Sequence, residues 1–461
     1  MRRDTGGTGG REARNDRPRR QLRSLALIGV LLASACGGSE PEPENVANPT
    51  GIVGNHASLS TLLSGGVKFA AVSADESRAA EVGRDVLLGG GNATDAAVAM
   101  YFAMAVTLPS AAGLGASGVC IVHDSKTRAG EAFVFAPVAA PGSIRGIQIT
   151  VPSGARAITL MHARHGSAPW PAVVAPAERL ARLGIPVSRA LSRDLQVGAV
   201  ALGADSEARR VFGRGTGTAV TEGDNFVQTD LAATLGILRQ RGGTDLSMGS
   251  LARVVSDQIA QIGGSMPTET LRSAVPQAGP PAGERYGGFR VYVAPPPMAG
   301  AMALAGWNGQ AAPSGAVPTD SGGISGLAAI DAKGGAAACS LSMGQLFGSR
   351  VMVPNTGILL GTPTADSTSI SPVVIGNPFN AEVLFAGAGG GSPSAAYVTG
   401  LIARGTVDHK QYVAAALKGR GGQGGYVNAI ACPDGIRSGA SSCNTGTDPA
   451  GSGLALDATP R

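Results

Sequence analysis

Few side chains in this sequence are spaced for chemistry, and most of those that are have a plainer reading. His162 and His165 stand three residues apart in ITLMHARH, a spacing that puts two imidazoles on one face of a helix, where a metal ion could bridge them. No third ligand accompanies them, so they read as exposed helix histidines. Gly113, Gly115 and Gly118 match the G-x-G-x-x-G pattern of dinucleotide sites. That chemistry needs the glycines after a strand and ahead of a helix, whose N–H groups then meet the phosphates. Here a helix precedes them and the strand VCIVHD follows, so they are expected to permit close backbone approach between a helix and a sheet. Cys120 and Cys339 sit in the apolar runs ASGVCIVHD and GAAACSLS and read as buried small hydrophobes. Cys432 and Cys443 lie in a polar, turn-rich tail, where a local disulfide is expected if the chain is exported. No Cys/His spacing indicates zinc, and no cofactor is implied.

The elements that would position a site follow from pattern. VKFAAVSADESRAAEVGRDVLLGGG reads as a strand, then a helix that stops at glycines. Asn92 is an N-cap candidate, with Asp95 three residues on, ahead of AAVAMYFAMAVTL. That run is apolar nearly all round and predicts a helix buried between layers. Helices are expected around Ile158, Leu160 and Met161, through TDLAATLGILRQRG and LARVVSDQIAQIGG, and again through PSAAYVTGLIARG. Residues 279–283 read as a loop, and FRVYVAPPPMAGAMAL as a strand, prolines and a helix start. From Ile324 the pattern changes to the short β-rich segments SGLAAIDA, AAACSLS, SRVMVP, EVLFAGA and YVNAIACP. Helices flanking antiparallel strands predict a layered α+β domain.

Composition narrows the function class. The 461 residues are 43 % hydrophobic but only 4 % aromatic, with 70 Gly, so the core must be built from Ala, Val, Leu and Ile with many tight turns. The net charge of +5 lies wholly in residues 1–35, which hold eight Arg and three acids, and the remainder is balanced. A neutral body gives no field for phosphates, and no nucleic-acid role follows. Residues 1–35 read as a signal peptide: an Arg-rich start, then SLALIGVLLASA, too short for an ordinary membrane span. Ala33-Ser34-Ala35-Cys36 resembles a bacterial lipobox, which would make Cys36 the lipidated first residue, with residues 36–65 as a linker. Arg19-Arg20 weakly resembles a twin-arginine signal, and plain secretion is the alternative to an anchor. Gly37 is not the Asp that retains lipoproteins at the inner membrane, so an outer-membrane position is expected.

Several long blocks, in order, resemble the γ-glutamyltransferases (glutathione hydrolases), a family of N-terminal-nucleophile hydrolases. They include GGGNATDAAVAMYFAMAVTLPSAAGLGASG, FRVYVAPPPMAG, AIDAKGGAAACSLSMGQLFGSRVMVPNTGILL and ISPVVIGNPFNAEVLFAGAGGGSPSAAYVTGLI. The resemblance covers the chain from about residue 66 and implies a four-layer αββα sandwich. On the family pattern, residues 66–305 are large-subunit-like, 306–323 a flexible connector, and 324–461 small-subunit-like. It also implies a γ-glutamyl small molecule such as glutathione as substrate. A hydroxyl nucleophile needs a base, which in such a family is its own freed α-amine, and backbone N–H groups must hold the oxyanion.

Mapped onto this sequence, Gly390 and Gly391 match the oxyanion glycines. Asp366 matches the acid that grips the substrate amine, Thr368 and Ser369 match the pair that holds its carboxylate, and Ser342 falls at a supporting Thr. The nucleophilic Thr is replaced by Ile324, the family's carboxylate-binding Arg by the segment with Ala136 and Pro137, and an Asn near the amine by Gly344. Ser325 is the nearest hydroxyl, but strand alternation aims it away from the face of Ile324, and a one-residue slip would turn every other side chain over. Thr319 and Ser321 in the connector are more remote substitutes. The expectation is a family protein of the cell envelope with impaired chemistry, or an uncleaved binding or structural module. An enzyme of altered substrate, dependent on Ser325 or Ser342, is the third reading.

Overall fold

The computed structural model describes residues 69–215, 217–311, 322–420 and 424–459. The expected signal peptide, linker and Cys36 lie outside the described residues, as does most of the connector. Two antiparallel sheets stack face to face. The first has seven strands in the order Leu454–Asp457, Ala71–Ala74, Ile324–Ile330, Ala336–Ser342, Ser117–His123, Gly130–Phe135 and Gln277–Gly279. The second has six: Asn444–Thr447, Tyr426–Ala431, Val383–Gly390, Val373–Gly376, Phe289–Val293 and Ala282–Tyr286.

Helices Ser77–Leu88 and Ala93–Thr107 cover the outer face of the first sheet, and Gly300–Trp307 and Ala395–Val407 that of the second. The fold is the α+β, four-layer αββα sandwich. Helices Gly154–His165 and Trp170–Leu183 pack over Ala93–Thr107, with Thr229–Arg241 against Trp170–Leu183, which explains why Ala93–Thr107 is apolar on every side and buried along its whole length. Asn92 and Asp95 form its capping box.

Alternation decides what each strand touches. Leu327 and Ala329 face the helices, while Ala328 and Ile330 face the second sheet. The abundance of Gly and Ala has a packing use. A Cβ on Gly326 would sit 2.7 Å from the Ala388 carbonyl carbon of the opposite sheet, so the sheets meet there backbone to backbone. Gly306 and Gly400 do the same between the two helices of the second outer layer. Gly115 bridges to Leu360, so the close approach in the G-x-G-x-x-G run is to a loop rather than to a helix.

Residues 279–283 are a correction. Gln277–Gly279 and Ala282–Tyr286 are edge strands, one in each sheet, separated only by Pro280 and Pro281. Edge strands tolerate Gly and Pro because half their backbone groups need no partner in the sheet. The short strands Val373–Gly376, Asn444–Thr447 and Leu454–Asp457 also escaped the pattern. The last of them pairs with Ala71–Ala74, bringing the C-terminal strand against the first described one.

Candidate functional site

The start of the Ile324–Ile330 strand lies where the two sheets meet. The Ile324 side chain is 1 % exposed and packs with Val119, Val134, Ala294, Met298 and Ile370, with Ala136 against the same cluster. Ile324 and Ala136, the positions that the family pattern would give to a nucleophile and to the segment of a carboxylate-binding cation, therefore share one apolar cluster. The Ile324 carbonyl accepts a 2.9 Å hydrogen bond from the Gly391 N–H. One of the two candidate oxyanion donors is thus already engaged with the chain's own backbone. Gly391 has φ +76°, a conformation that favours glycine, and a Cβ on Gly390 would lie 2.8 Å from the Ile324 oxygen.

The candidate hydroxyls are similarly occupied. Ser342 lies directly opposite Ile324 in the neighbouring strand, and its Oγ accepts from the Gly344 N–H at 3.0 Å. Thr368 and Ser369 both donate to the Ala365 carbonyl, at 3.3 and 3.2 Å, so they close a turn instead of presenting a pair of donors. Asp366 is half-buried, which pushes its carboxyl above the usual range. The structure brings Ile324, Ser342, Gly390 and Gly391 together, and the Asp366 loop reaches them through the apolar Ile370. Ser325 is fully buried on the opposite face, its hydroxyl without a hydrogen-bond partner at ordinary geometry and the Asp75 carboxyl close by.

Asp75 is the residue that sequence reasoning missed. It follows the Ala71–Ala74 strand and is 2 % exposed. Its carboxylate accepts from the Gly326 N–H at 2.7 Å and from the Asn428 side-chain amide of the opposite sheet. A Cβ on Gly390 would be 2.5 Å from its Oδ2. Burial pushes its pKa up to about 7, although these hydrogen bonds, the nearby Ser325 hydroxyl and the charge of Arg193 all pull the other way. Behind it, the Arg193 guanidinium lies 5.6 Å from the Tyr426 ring centroid and pairs with Asp194 at 3.1 Å. Asp194 in turn accepts from Ser110 at 2.5 Å, and burial raises its carboxyl too. The available signal was the acid pair Asp75-Glu76 closing an apolar strand; Glu76 proves to be the N-cap of the following helix.

Two other expectations need correction. His162 and His165 are not exposed: each side chain is 11 % accessible. His165 is held between Asp124 at 3.1 Å and Glu131 at 2.6 Å, and His162 lies 3.3 Å from Asp95 and edge-on to Trp170. The polar side of their helix packs on a hairpin and on the Asn92–Asp95 cap rather than on water. Among the described residues no group of three or more His, Cys, Asp or Glu could hold a metal ion. Cys120 and Cys339 are buried but are not free thiols: they lie directly opposite in adjacent strands and form a disulfide. Cys432 and Cys443 are joined as well.

The family model described as gamma-glutamyltranspeptidase matches residues 79–310. The chain belongs to the gamma-glutamyltranspeptidase family. The match ends before the Ile324–Ile330 strand, on which the family comparison turns. Among similar proteins, the glutathione hydrolase proenzyme of Escherichia coli (strain K12) is 30 % identical over 249 residues, 50 % of this chain and 43 % of that protein. Glutathione hydrolase 6 of Homo sapiens is 27 % identical over 398 residues, 82 % of this chain and 73 % of that protein. The chain spans about half the length of the first curated relatives it matches, between 41 % and 49 %. A crystal structure of cephalosporin acylase from Bacillus halodurans superposes with a TM-score of 0.67 at 19 % identity, covering 90 % of this chain and 98 % of that one. At that identity the likeness shows a shared fold.

Proposed function

We propose that this chain is a catalytically silent member of the gamma-glutamyltranspeptidase family, kept as one uncleaved polypeptide in the cell envelope and serving there as a binding or structural module. The observation that carries this reading is the apolar cluster that joins Ile324 to Ala136. Transfer or hydrolysis of a γ-glutamyl group needs an activated hydroxyl and a cation for the substrate carboxylate. At this site both are replaced by hydrocarbon, and neither loss alone would be repaired by restoring the other. The purified protein should release no product from a γ-glutamyl anilide, at enzyme concentrations far above those used for an active relative. Turnover abolished by Ser342→Ala or Ser325→Ala would overturn the proposal.

One observation favours a second reading. Ser325 carries a hydroxyl with no well-formed hydrogen bond beside the Asp75 carboxyl, whose pKa is about 7, and the Ile324 carbonyl next to it receives the Gly391 N–H. An enzyme built on Ser325 would hydrolyse an amide lacking an α-carboxylate, since Ala136 offers no cation. Loss of such an activity in Ser325→Ala, with folding intact, separates the two readings.

The envelope location draws support from cysteine chemistry. All four cysteines among the described residues are paired in disulfides, as expected of an oxidising compartment. Cys36, the remaining one of the five in the sequence, is then the thiol left for a lipid anchor. Labelling with a radioactive fatty acid in cells, lost in Cys36→Ala, tests the anchor.

A further inference from the structure

We propose that the Cys120–Cys339 disulfide is a covalent lock that holds the chain before residues 312–321 to the chain after them, whatever happens to the backbone in between. Cys120 belongs to the Ser117–His123 strand and Cys339 to the Ala336–Ser342 strand, and the two stand opposite each other in the register of the first sheet. Their sequence separation is 219, so the closed loop contains the outer helices from Gly154–His165 to Thr268–Ser273 as well as residues 312–321. A cut anywhere in that loop leaves the two strands bonded.

The second disulfide differs in reach and in access. Cys432 and Cys443 are 11 apart and close a local turn, with Cys443 partly exposed. Cys120 and Cys339 are each 0 % exposed, in the core between the first sheet and helix Ala93–Thr107. A disulfide breaks when a thiolate attacks one of its sulfurs, so access controls the rate. The buried bond is therefore shielded until the helix layer lifts, while the local one, whose Cys432 is also buried, can be reached in the folded protein from the side of the partly exposed Cys443. Formation of the lock removes two protons and two electrons from the two thiols, which pass by thiol exchange to a disulfide-bearing oxidant of the exported compartment. Its opening consumes one dithiol, which leaves as a disulfide.

The proposal stands independently of whether the protein has catalytic activity. To test it, the recognition sequence of a specific protease is placed within residues 312–321 of the full chain, and the folded, oxidised protein is cut. A denaturing gel without reductant should show full-length mobility, and the same sample with reductant should show two fragments. Separation of the fragments without reductant would overturn the lock, as would release by Cys432→Ala rather than by Cys339→Ala. A second measurement does not depend on variants folding: alkylation of the intact protein in mild reductant, followed by peptide mass mapping. Cys432 and Cys443 should be labelled at least several-fold faster than Cys120 and Cys339, and equal rates would contradict the shielding.

Discussion

Two buried carboxyl groups bracket the Ile324–Ile330 strand, and they are held in different ways. Asp331, just past its end, accepts from the Ala93 N–H at 2.9 Å, the Lys333 N–H at 2.8 Å and the Gly335 N–H at 3.0 Å. It ties a helix N-terminus to a hairpin, a structural duty with its hydrogen bonds made. Asp75, at the other end, has one backbone donor and one amide, and its proton affinity is raised to about 7. Near it the buried Ser325 hydroxyl lies by the Asp75 carboxyl without a well-formed hydrogen bond, and the buried Ser340 hydroxyl has no partner. One end of the strand is finished for stability. The other keeps the ill-satisfied polar groups that proteins tolerate where chemistry is done, while Ile324 and Ala136 beside it are hydrocarbon.

The difference should be largest in the response to pH. Asp75 is raised from 3.8 to about 7, so the folded state holds its proton more tightly than the unfolded chain. Its contribution to stability is fully present below pH 4 and is lost as pH rises through 7, by of order 4 kcal/mol. Urea unfolding at a series of pH values should show this fall in the wild type and a flatter profile in Asp75→Asn; parallel profiles would remove the distinction between the two ends.

The Asp331 end should tilt the other way. His123, in the strand beyond Ala336, is fully buried, stacks on Tyr292 and has neither ring nitrogen paired. Burial lowers its pKa from 6.5 to about 4, against the pull of Asp124 and Asp331. The stability it allows is complete above pH 6.5 and falls by roughly 3 kcal/mol as pH drops to 4. His123→Leu should abolish that acid-side loss, and an unchanged profile would argue that water reaches the ring.

Single deletions sharpen the contrast at constant pH. Asp331→Ala should cost roughly 2–3 kcal/mol in equilibrium unfolding, since several backbone donors lose a charged acceptor together. Ser325→Ala, removing a hydroxyl that makes no well-formed hydrogen bond and only lies near the Asp75 carboxyl, should lie within about 0.5 kcal/mol of the wild type or be slightly stabilising. A cost of several kcal/mol at Ser325 would mean that its hydroxyl is engaged after all.

Much of the fold was legible because its signals are local. The capping box at Asn92 and Asp95, the all-round apolar helix it opens and the period-2 strands after Ile324 each declare themselves within a dozen residues. That residue 324 is an Ile is plain in the sequence, while its place at the nucleophile position rests on the neighbouring blocks alone. What could not be read depends on partners far apart in the chain. Cys120 and Cys339 look like core residues from their flanks, and only the strand order puts them side by side. His162 and His165 look solvent-facing on their own helix, yet the hairpin carrying Asp124 and Glu131 folds over them. Asp75 becomes a site residue because Gly326, Asn428 and Gly390, from three other strands, converge on it.

The closed state of the Ile324 cluster is most directly tested by the intact mass of the purified protein, denatured and reduced. Reduction is essential, because the Cys120–Cys339 bond would hide a cut. The account predicts one chain, continuous through Gly323, Ile324 and Ser325. Two fragments, with the second beginning at Ile324 or Ser325, would show that the chain cleaves itself there and would contradict it.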